Sequence, residues 1–474
     1  MYQQKFLDPL IHYLKIPSIS TQEKYKSEME AARHFLVDTF SSMGFETKIL
    51  KGVKHDAVFA SLTTNYHLPS ALIYGHYDVQ PPEPLKEWKT SPFEPTVKNG
   101  NIYARGATDQ KAQLMVHIMA IKKLMEYSIL PGGGIKNTGS EIQLKNKNKD
   151  FSPGVKRFPA NFKFLIEGEE EIGSLSIESM AKQYGNSLLK SDYIIVSDSQ
   201  MYSDTQPAID ISLRGLTYAE IRLKTARHDL HSGQFGGVAE NPVKILANVI
   251  SRLKDEDEKV LVPHFYDEVE NFTPEELRYF KNLKTKESLI KKEGGLFLTG
   301  GGETDYSINE RRWTRPSLDI NGIWGGYHEE GSKTIIPAEA GAKVSMRLVP
   351  NQNPEKIFNL FSSYVRKLIP KGVEVEIIDH ASCLPYKAPT DHVIYSLAQK
   401  SIEKVFKNKA VYSGVGGSIG FVPIMAKALK APVLMLGFGL SDDNLHAPNE
   451  KYSLENYYKW ISVMTDFYSQ VPKL

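Results

Sequence analysis

The sequence predicts an α/β protein of two domains, a mixed-sheet domain with a smaller α+β domain inserted into it. Three observations predict this. The chain has 474 residues, too many for one hydrophobic core. Short apolar runs alternate with helical patterns up to about residue 212 and again after about residue 386. Between those points the texture changes to alternating strands with two helices, the pattern of a small α+β unit. The expected segments are therefore 1–212, 213–385 and 386–474.

The elements follow in order. Phe6, Leu7, Leu10, Ile11 and Leu14 recur at helical spacing, so the first stretch is an amphipathic surface helix and not a signal peptide. A second helix is expected over 27–43, stopped by Gly44. Strands are expected at 46–50 and 57–62, then at 71–76, where Ala71-Leu72-Ile73-Tyr74 runs into Gly75-His76-Tyr77-Asp78. Residues 101–104 read as part of a hairpin, and a helix covers about 112–126. Residues 131–159 hold three consecutive glycines and a Lys/Asn run without apolar periodicity, which reads as a surface insertion. Strands at 162–167 and 193–196 flank a helix near 175–184. The inserted domain then supplies strands near 216–224, 318–323, 334–337, 342–348 and 373–378. Its helices start at Asn241-Pro242 and at about Asn353, the first with proline at the first helical position. Segments 393–406, 432–436 and 454–468 return to the first domain.

Composition excludes several functions. Lys and Arg number 58 against 56 Asp and Glu, a formal charge of +2. That balance argues against binding nucleic acid or a membrane surface. No run of about 18 apolar residues occurs, so no membrane span is expected. The single cysteine, Cys383, excludes a disulfide framework and a cysteine-built zinc site. It fits a reducing compartment, and the expected location is the cytoplasm.

The chemistry gathers where apolar runs end. In open α/β sheets, sites lie at the C-terminal ends of strands. His76 and Asp78 close one such run, Glu167 to Glu171 another, and Asp198 a third. His446 follows the last expected strand. His76 and Asp78 are two apart, so on an extended segment they share a face, with Asp78 placed to orient the imidazole. Asp109 sits in a glycine-containing turn, where it either bridges two metals or caps the following helix. Glu170 and Glu171 either form a solvated acidic loop or divide metal ligation and proton transfer between them. Histidine with carboxylates suits zinc, and a spare carboxylate suits a general base. The pattern points to a two-zinc hydrolase acting on an amide bond.

These segments resemble the zinc aminoacylase/carboxypeptidase/dipeptidase superfamily, most closely its carnosine-dipeptidase-like (cytosolic non-specific dipeptidase) branch. The resembling motifs are Gly75 to Val79, Arg105 to Asp109, Glu167 to Ser174, Ser197-Asp198, Asp229 to Gly233, Arg347 to Pro350, Gly416 to Ile419 and His446. The resemblance implies a di-zinc peptidase domain with an inserted lid and dimerisation domain. It implies that His76, Asp109 and Asp198 hold one zinc, and that Asp109, Glu171 and His446 hold the other. Mn2+ or Co2+ could replace the zinc. Glu170 is then the base that takes a proton from the metal-bridging water, with Asp78 behind His76. His231 stabilises the oxyanion from a partner subunit in a homodimer. Arg347 grips a substrate carboxylate, and Thr334, Ser418 and His446 line the substrate site. The implied substrate is a dipeptide or related short peptide. Two departures bear on this. Gln110 stands where the family has an acidic residue or Asn, and Gly414-Val415 stand where the dipeptidases have Arg-Glu. The second departure keeps an N-acyl-amino-acid deacylase open as the alternative. A non-catalytic metal-binding scaffold is the remaining reading.

Overall fold

The computed structural model describes residues 4–63, 67–128, 160–283 and 285–471. The insertion expected at 131–159 lies outside the described residues. The chain divides into two compact units. One comprises residues Met1–Ile211, Ala388–Tyr412 and Gly420–Leu474, and the other Ser212–Lys387 and Ser413–Ile419.

The first unit is built on one large sheet. Across it the strands run Glu46–Leu50, Ala57–Leu62, Asn161–Glu167, Ser70–His76, Tyr193–Gln200, Val433–Gly439 and Ala208–Leu213. The four from Asn161–Glu167 to Val433–Gly439 are mutually parallel, and antiparallel strands flank them. Ser70–His76 and Val433–Gly439 are buried almost throughout. Strands covered on both faces read as continuous apolar runs, which is how they appear in the sequence. Helices Ala112–Ser128 and Leu454–Gln470 pack against each other, and Trp460 of the latter stacks on Phe438 at 4.2 Å. The first helix, Gln4–Leu14, buries Phe6, Leu7, Leu10, Tyr13 and Leu14.

The second unit has a four-stranded antiparallel sheet, in the order Ser317–Gly325, Glu339–Leu348, Gly215–Lys224 and Glu374–Cys383. Alternate residues Ala219, Ile221 and Leu223 face a core shared with Leu246, Val249, Ile357 and Phe361 from helices Pro242–Ile250 and Pro354–Leu368. Both helices begin as their sequences predict. Asn241 Oδ1 accepts from Val243 N at 2.9 Å and Asn353 Oδ1 from Lys356 N at 3.0 Å, each with proline next. Four further helices, Ser232–Phe235, Pro274–Asn282, Glu287–Gly294 and Ile308–Trp313, were not expected from the sequence.

The continuous final segment expected over 386–474 is interrupted, because Ser413–Ile419 belongs with the second unit. Arg214 Nε donates to Gly416 O at 2.9 Å, and Ser418 Oγ donates to Arg214 O at 2.6 Å. A Cβ at Gly414 would lie 2.5 Å from Trp313 Cβ, so only glycine permits that approach.

Phe361 is fully buried in the second unit's core. Phe361→Ala is expected to cost about 3–5 kcal/mol, measured by denaturant unfolding. A cost below about 1 kcal/mol would contradict this packing.

Candidate metal centre

Four neighbouring parallel strands end on one side of the sheet. His76 is the last residue of Ser70–His76, Glu167 ends Asn161–Glu167, and Asp198 lies near the end of Tyr193–Gln200. Past Val433–Gly439 the chain continues to His446. Asp109 enters from the turn before helix Ala112–Ser128. Gly168 makes the approach possible, since a Cβ there would sit 2.3 Å from the Tyr77 ring.

Two sets of donors result. His76, Asp109 and Asp198 bring ligand atoms within 4.8 Å of one another, and so do Asp109, Glu171 and His446. His76 Nε2 lies 3.3 Å from Asp109 Oδ1 and 3.9 Å from Asp198 Oδ1. His446 Nε2 lies 2.8 Å from Asp109 Oδ2 and 3.5 Å from Glu171 Oε2. Asp109 alone belongs to both sets and presents one oxygen to each histidine. Its turn has non-helical backbone at φ −116°, ψ 92°, and its two carboxylate oxygens face His76 and His446.

The surrounding residues fix these donors. Asp78 lies behind His76, 3.4 Å from Nδ1 through Oδ1, while its backbone oxygen is 3.0 Å away. Its other oxygen accepts from Ser20 Oγ at 2.7 Å and from Glu171 N at 3.0 Å. One buried carboxylate thus steadies a member of each donor set. Gln80 Nε2 donates to Glu171 Oε2 at 2.8 Å. Gln110, a departure from the family pattern, accepts from His76 N at 2.8 Å and donates to Ser197 O at 3.1 Å. It belongs to neither donor set, but it ties together the strands that carry two ligands.

The electrostatics favour a cation. Burial pushes the Glu170 carboxyl up to about 8, with Asp198 and Asp109 adding to the shift against His76. Burial and the charge of Asp109 push Glu171 up to about 9. Burial also raises Asp198. Burial works against a low value for Asp109, yet the His446 and His76 imidazoles beside it hold it below the usual carboxylate range. His76 moves the opposite way, its burial outweighed by Asp109, Asp198 and Asp78, which raise it well above the imidazole norm. Among the described residues, His76 Nε2 and Glu171 Oε1 are buried without a hydrogen-bond partner. Buried donors of that kind among crowded carboxylates fit divalent cations.

The other residues singled out in the sequence lie in the second unit. His231 is exposed, and its Nδ1 accepts from Gly233 N at 3.0 Å. Thr334 is close to it, with Ser232 N donating to Thr334 O at 3.0 Å. Arg347 Nη1 donates to Ser418 Oγ at 3.2 Å. The two groups are therefore brought together as His231 with Thr334 and as Arg347 with Ser418. The sequence did not single out Glu450 and Asp443, both buried beside the Asp109 turn. Only their three-dimensional placement gives them a role.

Residues 72–137 match the peptidase family M20/M25/M40, and residues 211–373 match the peptidase dimerisation domain. A Cys-Gly metallodipeptidase of Candida albicans is 30% identical over 477 residues, 96% of this chain and 92% of that protein. The chain belongs to the M20 peptidase family. A Beta-Ala-His dipeptidase of Rattus norvegicus is 29% identical over 425 residues, 88% of this chain and 80% of its own. Among solved structures, an M20 family metallo-carboxypeptidase of Sulfolobus solfataricus has a TM-score of 0.84 at 31% identity, covering 100% of both chains. M20 membership makes this chain a metallopeptidase that binds divalent metal. Among the described residues no helix is long and apolar enough to cross a membrane.

Ligation requires ionised carboxylates and neutral imidazoles. With Glu170 near 8 and Glu171 near 9, both carry protons at pH 7 until a cation displaces them. Metal uptake by the metal-free protein is therefore expected to release about one proton or more at pH 7, and affinity should rise with pH up to about 9. Calorimetric titration in buffers of different ionisation enthalpy measures the release. Heats independent of the buffer would contradict it.

Proposed function

We propose that this M20 metallopeptidase is a di-zinc exopeptidase that hydrolyses dipeptides or related short peptides with a free C-terminal carboxylate. The observation that carries the reading is the pair of donor sets sharing Asp109, with half-buried Glu170 beside them. His76, Asp109 and Asp198 would hold one ion, and Asp109, Glu171 and His446 the other. Zinc suits these nitrogen and oxygen donors, and Mn2+ or Co2+ are the other candidates. Bound there, two divalent cations acidify water and polarise a peptide carbonyl.

The chain's own residues do the rest. Glu170 takes a proton from the attacking water and returns it to the departing amine. Its carboxylate, freed of its proton when cations bind beside it, can accept a proton from water and then give it up to the amine. Asp78 keeps His76 in the orientation and tautomer that leave Nε2 free to ligate. Arg347, with Ser418 against it, grips the substrate's terminal carboxylate, for which a forked guanidinium is suited. Thr334 and His446 complete the substrate contacts, and His231 stabilises the developing oxyanion. The match to a peptidase dimerisation domain supports a two-fold homodimer in which His231 serves the partner's site. We place the enzyme in the cytoplasm, consistent with its single cysteine.

A second reading, an N-acyl-amino-acid deacylase, is favoured by one observation. Val415 stands where the dipeptidase pattern has its glutamate, so that position offers no carboxylate to a substrate's free amine. A metal-binding scaffold without activity is disfavoured, since Glu170 and every donor are present.

Glu170→Gln is expected to keep the bound metal while kcat falls by about 100-fold or more. Unchanged turnover at normal metal content would remove Glu170 as the base. The parent is expected to cleave dipeptides faster than the matching N-acetylated amino acids. The reverse order would select the deacylase reading.

A further inference from the structure

We infer that Glu450 is a positioning residue that sets the places of two metal ligands, Asp109 and His446. This rests on the two-metal reading above. Glu450 is fully buried and lies four residues beyond His446. Its side chain accepts four hydrogen bonds, all from the turn that carries Asp109. Oε2 accepts from Arg105 Nη1 at 2.6 Å and from Gly106 N at 2.9 Å. Oε1 accepts from Thr108 N at 2.8 Å and from Asp109 N at 3.1 Å. Its backbone oxygen accepts from Ala104 N at 3.1 Å.

The Asp109 turn needs such a partner. Gly106 has φ +81°, and Asp109 itself is non-helical, so regular hydrogen bonding does not hold these residues. On the other side, Asn444, His446 and Asn449 all have positive φ, so this loop too lies outside regular secondary structure. Asp443 adds a second tie. Its Oδ2 accepts from Thr108 Oγ1 at 3.0 Å and from Leu440 N at 2.7 Å, and Lys451 Nζ reaches its Oδ1 at 3.1 Å. The segments bearing Asp109 and His446 are thus joined at both ends of the loop between residues 443 and 450. The 2.8 Å approach of His446 to Asp109 follows from that joint.

The two donor sets depend on it unequally. His76 and Asp198 are carried by strands and tied by Gln110. His446 has no strand beneath it, and it shares its anchor with Asp109. Glu450→Gln keeps the shape but exchanges one acceptor oxygen for an NH2 group. Two buried N–H donors on one side of the carboxylate then face a donor. The ion held by Asp109, Glu171 and His446 should loosen, and the ion held by His76, Asp109 and Asp198 much less.

The test is titration of metal-free parent and Glu450→Gln with zinc against a chromophoric chelator, with elemental analysis for stoichiometry. The parent is expected to take up two ions. In the variant the weaker ion should lose about 10- to 100-fold in affinity, the effect of removing an outer partner of a ligand. Activity should return when zinc is raised, with kcat near the parent's. A purely structural role would instead lower the melting temperature of the metal-free chain and leave both affinities at parental values, and that result overturns the inference. If Glu450→Gln does not fold, Glu450→Asp, which keeps the charge but draws both oxygens back from the Asp109 turn, should loosen the same ion by a smaller factor. Parental affinities there overturn it equally. A parent that takes up fewer than two ions overturns the two-metal reading instead, and this inference with it.

Discussion

Asp109 lies between two histidines from opposite ends of the chain, one oxygen 3.3 Å from His76 and the other 2.8 Å from His446. Neither histidine holds it alone, and burial by itself would make its charge costly. The arrangement survives because three of the acidic residues here are tied to their own supports. Asp78 is held by Ser20 and Glu171 N, Glu171 by Gln80, and the Asp109 turn by Glu450. The four parallel strands matter mainly because their ends deliver these groups to one place. Like charges packed this closely in a buried site are stable together only with cations or protons between them. The raised carboxyls of Glu170 and Glu171 are the electrostatic trace of that requirement.

Much of this was legible because strands buried on both faces leave an unambiguous mark. Ala71 to Tyr74 and Phe162 to Ile166 are apolar without alternation, and each ends abruptly in ionisable residues. The change in texture near residue 213 was legible for the opposite reason. Leu216 to Lys224 alternates because one face of its sheet meets helices while the other carries Glu220, Arg222 and Lys224. The helix starts at Asn241 and Asn353 were carried by local capping chemistry.

What was not legible depends on contacts distant in sequence. Glu450 is 345 positions from Arg105, and nothing in Asn449-Glu450-Lys451 distinguishes it from a surface turn. Gln110 reads as a harmless replacement until its two ends are seen to hold His76 and Ser197. The return of Ser413–Ile419 to the second unit needs the contacts of Gly414 with Trp313 and of Arg214 with Gly416. Of the unexpected helices, Pro274–Asn282 does carry a local signal, the capping box of Thr273 and Glu276, but its length is too short for apolar periodicity to stand out.

The central claim is that a single carboxylate serves both ions. Elemental analysis of purified Asp109→Ala tests it most directly. The parent should carry two ions per chain, and the variant one or none, because removing a shared ligand weakens both positions at once. A variant that still holds two ions at parental affinity would contradict the account.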